Sequence, residues 1–139
     1  MRFMILVKAT KDTEAGVMPD DDKLFAAMAT FHEELAKADA LLDASGLQPT
    51  SKGWRIKYNG AKRTVIDGPF TETKELIAGY TLVQAKSREE ALEWTRRFPN
   101  PAVDGKEAEI EVRQLYELED FAPSESIDRF REMGVGTQK

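Results

Sequence analysis

Three residues of this 139-residue chain invite a chemical reading: Asp67, His32 and Lys8. Asp67 follows the apolar run Thr64-Val65-Ile66 and precedes Gly68-Pro69. A carboxylate at a strand end can face a cleft and act as a general base, or orient a histidine. Aspartate before Gly-Pro also commonly accepts backbone N–H groups of its own turn. Histidine is the side chain that ordinarily changes charge near neutral pH, and His32 is the only one present. It lies beside Phe25 and Phe31 at the edge of a helical apolar stripe. It reads either as a hydrogen-bonded structural histidine or as a group facing a pocket between helix and sheet. A His32–Asp67 pair, were the two to meet, could move a proton next to a carbonyl or a leaving group. Lys8 closes an apolar strand, where it can reach a cleft or snorkel to solvent. Phe70 either walls a pocket or plugs its own turn. Lys74 lies in a polar loop, where it can hold an anion or stay solvated. Tyr80 brings a hydroxyl onto an apolar strand and needs a partner there. Asp67 and His32 are thus the catalytic candidates, and Lys8, Phe70, Lys74 and Tyr80 the ligand-binding ones.

Composition narrows the chemistry. Cysteine is absent, which removes thiol nucleophiles, disulfides and Cys-ligated metals. One histidine does not build a His-rich metal site. Glycine-rich phosphate loops, a Ser-His-Asp order and EF-hand spacing are missing. No metal or nucleotide cofactor is expected. The 20 basic and 25 acidic residues leave a net charge of -5, which argues against a broad nucleic-acid surface. Trp54, Arg55 and Tyr58 mix aromatics with cations, but one short strand in an acidic chain falls short of a nucleic-acid platform. The apolar run Phe3–Val7 is too short for a membrane span or a signal peptide, so the expected compartment is cytoplasmic.

Elements must hold these residues in place. Phe3–Val7 reads as a strand covered on both faces. Thr10–Pro19 reads as a loop, with Asp20 as N-cap of the helix that follows. Leu24, Met28, Phe31, Leu35, Ala38 and Leu42 predict an amphipathic helix of about five turns, ended at or near Gly46. Trp54–Tyr58 and Thr64–Ile66 flank Asn59-Gly60 as a β-hairpin. Ile77–Val83 predicts a strand apolar on both faces. Ser87-x-x-Glu90 opens a second helix, which Pro99 and Pro101 stop. Ala108, Ile110 and Val112 alternate with charges, as an edge strand does. The order β-α-β(hairpin)-β-α-β matches the ferredoxin-like arrangement. Two helices cover only one face of such a sheet, so the second face predicts a two-fold homodimer. Residues 1–120 form the expected domain. Residues 121–139 form a C-terminal extension, with a short helix over 124–133 and a fraying end from Gly136.

The stretch Asp67-Gly68-Pro69-Phe70-Thr71-Glu72-Thr73-Lys74-Glu75-Leu76-Ile77-Ala78-Gly79-Tyr80 resembles the signature of the DGPF, or YCII-related, family. The strand ending in Lys8, Glu33-Glu34-Leu35, Gly46-Leu47-Gln48-Pro49 and Glu109–Arg113 agree in order and spacing. The resemblance spans about residues 1–120. It implies a dimeric α+β barrel of ferredoxin-like subunits. It also implies one of two functions. One is small-ligand binding with cofactor-free acid–base lyase or isomerase chemistry. The other is a non-catalytic module with a protein partner, in extracytoplasmic-function sigma-factor signalling. The chain departs from the pattern at Gln48, where relatives often carry His, and at His32, where they often carry Asn. The histidine of a superfamily His–Asp pair would align near Met28, one turn before His32.

Overall fold

The computed structural model describes residues 1–137. Its elements are β1 (Arg2–Lys8), α1 (Lys11–Glu14), α2 (Lys23–Lys37), β2 (Leu41–Gly46), β3 (Trp54–Asn59), β4 (Lys62–Asp67), β5 (Ile77–Gln84), α3 (Arg88–Arg96), β6 (Ile110–Gln114) and α4 (Glu125–Glu132). Four strands pair in the order β2-β5-β1-β6, and every neighbouring pair is antiparallel. This is an α+β, ferredoxin-like sheet. The hairpin β3–β4 forms a separate two-stranded sheet inserted between β2 and β5.

Alternation along β1 sends Phe3 and Ile5 toward the helices, and register places Val83 of β5 opposite Phe3. Phe31 and Leu35 of α2 and Ala91 of α3 close over them. Ile5, Leu35 and Val83 are fully buried. Phe31 meets Phe98 edge-on at 5.3 Å and Trp94 at 6.3 Å. Ser87 caps α3 by accepting from the Glu90 N–H at 3.1 Å, while the Glu90 carboxylate accepts from the Lys86 N–H at 3.2 Å. The edge position of the last strand holds, since β6 is outermost.

Four expectations change. Helix α2 stops at Lys37, not beyond Leu42. Asp39 adopts φ 57, the Asp39 N–H donates to the Ala36 carbonyl, and the Ala40 N–H donates to the Leu35 carbonyl. These two bonds and the left-handed residue are a Schellman stop. Leu41 and Leu42 therefore belong to β2, which is the second core strand in place of the hairpin. At the other end of α2 the N-cap is Asp22, and Asp21, not Asp20, accepts from the Lys23 N–H at 2.9 Å. The polar loop after β1 contains the short helix α1, closed by a reciprocal Thr10–Thr13 capping box. The C-terminal extension folds back on the body. Leu118 donates its N–H to the Gly136 carbonyl at 2.9 Å, so Gly136 is tied down where fraying was expected; residues 138–139 lie outside the described residues.

The signature segment acts as a clasp at the base of the hairpin. The Glu14 carboxylate accepts from the Thr50 N–H at 3.1 Å and from the Thr50 hydroxyl. The Thr50 oxygen in turn accepts from the Phe70 N–H at 3.0 Å, and Gly68 donates its N–H to the Gly53 carbonyl at 3.0 Å. A Cβ on Gly68 would lie 1.8 Å from the Thr50 carbonyl oxygen. Only glycine allows that approach. Phe70 is half-buried, with the Arg55 guanidinium 3.8 Å above its ring. It plugs the turn.

The sheet's other face carries Met4, Leu6, Tyr80 and Leu82, which neither α2 nor α3 covers and which are half-buried. There Tyr80 donates its hydroxyl to Asp43 Oδ2 at 2.9 Å. That hydrogen bond, then the carboxylate's charge, pushes the phenol pKa above its ordinary value of 10.0. A raised folded-state pKa stabilises below the unfolded value, and that contribution is lost as pH rises through the folded one. Asp43→Asn should therefore move Tyr80 ionisation to lower pH. Ultraviolet titration in a chain carrying Tyr58→Phe and Tyr116→Phe reads this directly. The clasp gives a second expectation. Gly68→Ala should cost about 1–3 kcal/mol by overpacking, read as a lower Tm in calorimetry. Gly46→Ala, with nothing within 4 Å of its new Cβ, should leave Tm nearly unchanged. Equal Tm values for both would contradict the clasp.

Candidate functional site

The helix–sheet boundary opens where small residues face each other. Ala29 on α2 looks toward Ala44 and Gly46 of β2 and Gly79 of β5, and no large side chain fills the gap. Phe25, Met28, His32, Phe98 and Pro101 complete a mainly apolar cleft of about 450 Å³. That is within the range of small-molecule sites. A neighbouring depression of about 370 Å³ shares Thr13, Gly46 and Ala78 with it and runs out under Val17, Met18 and Leu47. The two form one continuous groove.

His32 is the polar centre of the cleft. One nitrogen, Nδ1, lies 2.7 Å from the Met28 carbonyl, and Nε2 lies 2.9 Å from the Thr81 hydroxyl. A carbonyl only accepts, so the network assigns the proton to Nδ1. In the neutral ring Nε2 then accepts from the Thr81 O–H. After protonation the same hydroxyl oxygen can accept instead. Both charge states therefore keep two hydrogen bonds. Phe31 and Phe98 stand edge-on to the imidazole at 5.5 and 6.3 Å and limit its tilt. With the ring fixed, a proton reaches or leaves Nε2 only through the Thr81 hydroxyl, which passes its own proton to Nε2 while its oxygen takes one from the cleft side.

Thr81 was not among the sequence candidates. It is 2 % exposed and sits between Gly79 and Val83 on the helix-facing side of β5. The one available signal was a lone polar residue on the apolar parity of that strand.

The other candidates fall elsewhere. Asp67 ends β4 opposite Trp54, exposed, and its carboxylate makes no hydrogen bond or ion pair among the described residues. It neither caps its own turn nor bonds to His32, whose two nitrogens are taken by Met28 and Thr81. No His32–Asp67 dyad forms within the subunit. Phe70 lies in the clasp, and Tyr80 sends its hydroxyl to the opposite face of the sheet. Lys8 and Lys74 do come together. They line a separate open depression of about 760 Å³ with Lys11, Glu107 and Glu109. Among the described residues, no group of three or more His, Cys, Asp or Glu side chains could hold a metal ion, and no helix is long and apolar enough to cross a membrane.

Comparisons with known proteins place the chain. An uncharacterised protein of Rhizobium meliloti (strain 1021) is 27% identical over 104 residues, covering 75% of this chain and 84% of that one. A solved structure, the 5-chloro-2-hydroxyhydroquinone dehydrochlorinase of Burkholderia phenoliruptrix AC1100 in complex with 2,5-dihydroxybenzoquinone, covers 84% of this chain and 95% of its own. Its identity is 15% and its TM-score 0.42. A family model for the YCII-related domain matches residues 1–118, and the chain belongs to that family.

Proposed function

We propose that the groove binds a small, largely apolar organic molecule. In this reading His32 is the proton-handling group, and any turnover is cofactor-free acid–base isomerisation or elimination. The observation that carries the proposal is the position of His32. The only imidazole in the chain is set in the wall of an apolar cleft, and its Nε2 is held by a hydroxyl that works with either protonation state. Elimination and isomerisation need a base that removes a proton beside an activating group and an acid that returns it. A single relay of this kind supplies both. Asp67 stays outside the cleft of its own subunit, so an intrasubunit dyad is no part of the proposal. The protein acts as a homodimer in this reading, with the apolar sheet face around Met4, Leu6 and Leu82 covered by a second copy.

One observation favours a second reading, in which a protein partner docks on the C-terminal extension. Phe121, Phe130, Met133 and Val135 are all exposed on that short segment.

A thermal-shift screen against small carboxylates, lactones and aromatic metabolites separates the two. A ligand at 100 times its Kd stabilises the fold by about 2.7 kcal/mol. Ala44→Phe, which fills the cleft, should abolish the shift. His32→Phe should weaken the ligand at least tenfold, about 1.4 kcal/mol, relative to its own unliganded Tm. A hit that survives both substitutions, or silence across the library, would contradict the cleft reading and favour the partner.

A further inference from the structure

The two edges of the four-stranded sheet, β2 and β6, are built differently. Sheets blunt an open edge with bulges, prolines, lysines or covering groups. Strand β2 carries two such devices. Its register against β5 shifts between Leu41 and Asp43, and the Asp43 carboxylate accepts from the Ala44 N–H at 2.8 Å. Strand β6, Ile110–Gln114, has neither lysine nor proline, and its register against β1 runs without a shift.

The ladder fixes which backbone groups of β6 are left over. Lys8 donates its N–H to the Glu109 carbonyl at 3.0 Å, and Leu115 donates its N–H to the Arg2 carbonyl at 2.9 Å. Bonded residues alternate along an antiparallel strand, so Glu111 and Arg113 also bond to β1. Ile110, Val112 and Gln114 therefore turn their N–H and C=O groups outward. Among the described residues no strand and no other backbone group meets them there.

The side chains decide what pairs with this edge. Register sets Glu111 opposite Leu6 and Arg113 opposite Met4, on the sheet face that the helices leave uncovered. Val112 lies opposite Ile5, on the helix side. Within one chain Glu111 and Arg113 approach only to 3.5 Å, in solvent, where an ion pair contributes little. Two copies of β6 can run antiparallel about a two-fold axis and join their outward groups. An axis at residue 111 sets Glu111 against its own copy, and an axis at residue 113 does the same to Arg113. Like charges directly opposite destabilise a sheet. An axis at Val112 instead sets Glu111 opposite the partner's Arg113, and Arg113 opposite the partner's Glu111. It also pairs Ile110 with the partner's Gln114, so every outward residue is used.

We propose that β6 pairs edge to edge with β6 of a second copy, antiparallel about Val112. The two four-stranded sheets then join into one. Both copies keep their helices on the same side, and the apolar faces around Met4 and Leu6 lie side by side on the other. This contact is separate from face-to-face packing of sheets and leaves those faces open to it. It does not rest on the ligand reading above.

Val112 gives a readout that face-to-face packing cannot imitate, because it lies on the helix side. The chain has no cysteine, so Val112→Cys places a single thiol in the full-length protein. Bonded residues of an antiparallel pair have Cα atoms about 5.5 Å apart, within the span of a disulfide. Mild oxidation should cross-link Val112→Cys into a dimer at least tenfold faster than Arg63→Cys, an exposed site on the hairpin. Adding Glu111→Arg should slow the Val112→Cys cross-link about tenfold, since both cross-strand pairs become like-charged. Adding Glu111→Arg and Arg113→Glu together should restore the rate, because the exchanged charges again oppose each other. Both side chains are exposed, so circular dichroism should be the same for all these variants. Equal rates at the two cysteines, a cross-link indifferent to Glu111→Arg, or an exchange that fails to restore it would each overturn the proposal.

Discussion

The packing of Phe31 and Leu35 against Ile5 and Val83 is what the rest of the molecule depends on. Leu35, Ile5 and Val83 are wholly removed from water, and Phe31 is 3% exposed. Each such side chain contributes about 1.5–3 kcal/mol by burial. Truncating any one would also leave a cavity. This contact sets the height of α2 above the sheet. One residue beyond Phe31, His32 is carried to the boundary of the core with no freedom to choose another place. Toward the N-terminus of α2 the facing residues shrink to Ala29, Ala44, Gly46 and Gly79, and the same helix height leaves a gap there. The cleft is thus a consequence of tight packing at one end and small residues at the other.

Much of the fold is legible in the sequence, and the places where it is not have a common physical origin. Helices α2 and α4 end in the same motif. In α4 the left-handed residue is Gly134, with φ 74, and the stop was legible because glycine adopts that conformation freely. In α2 it is Asp39, which takes φ 57 at a cost of about 1–2 kcal/mol. Ala38 and Leu42 happened to continue the helical spacing, so the pattern ran through the stop. The error spread. Without β2, the hairpin had to serve as the second core strand. The hairpin itself was plain from Asn59-Gly60, and Gly60 has φ 61.

The site was half legible for a similar reason. His32 at the edge of its stripe was read from helical geometry, and it lies in the cleft wall. Its partner Thr81 was not, because one threonine in a strand carries no signal until the opposite helix is placed. The signature segment shows the limit from another side. Its residue types suggest an acid at a cleft. What this structure uses there is the missing side chain of Gly68, which lets the Thr50 carbonyl close in, and the backbone N–H of Phe70. Close approach leaves a glycine in the sequence and nothing to name what approaches it.

Charge and exposure organise the outside of the molecule in the same way that burial organises the inside. Cations gather on the hairpin, with Arg55, Lys57 and Lys62 on the face opposite its apolar side chains, and acids precede α2, while the uncovered sheet face holds Tyr80 and Asp43 to each other.

The most direct test of the central claim reads the imidazole itself. The chain has a single histidine, so its ring-nitrogen resonances need no assignment. In the free protein at a pH where the ring is neutral, Nδ1 should carry the proton and Nε2 should be the bare nitrogen. Titration with a compound that raises Tm should shift Nε2 in proportion to site occupancy. The opposite tautomer, or a ligand that saturates the protein while both ring nitrogens stay still, would contradict the account.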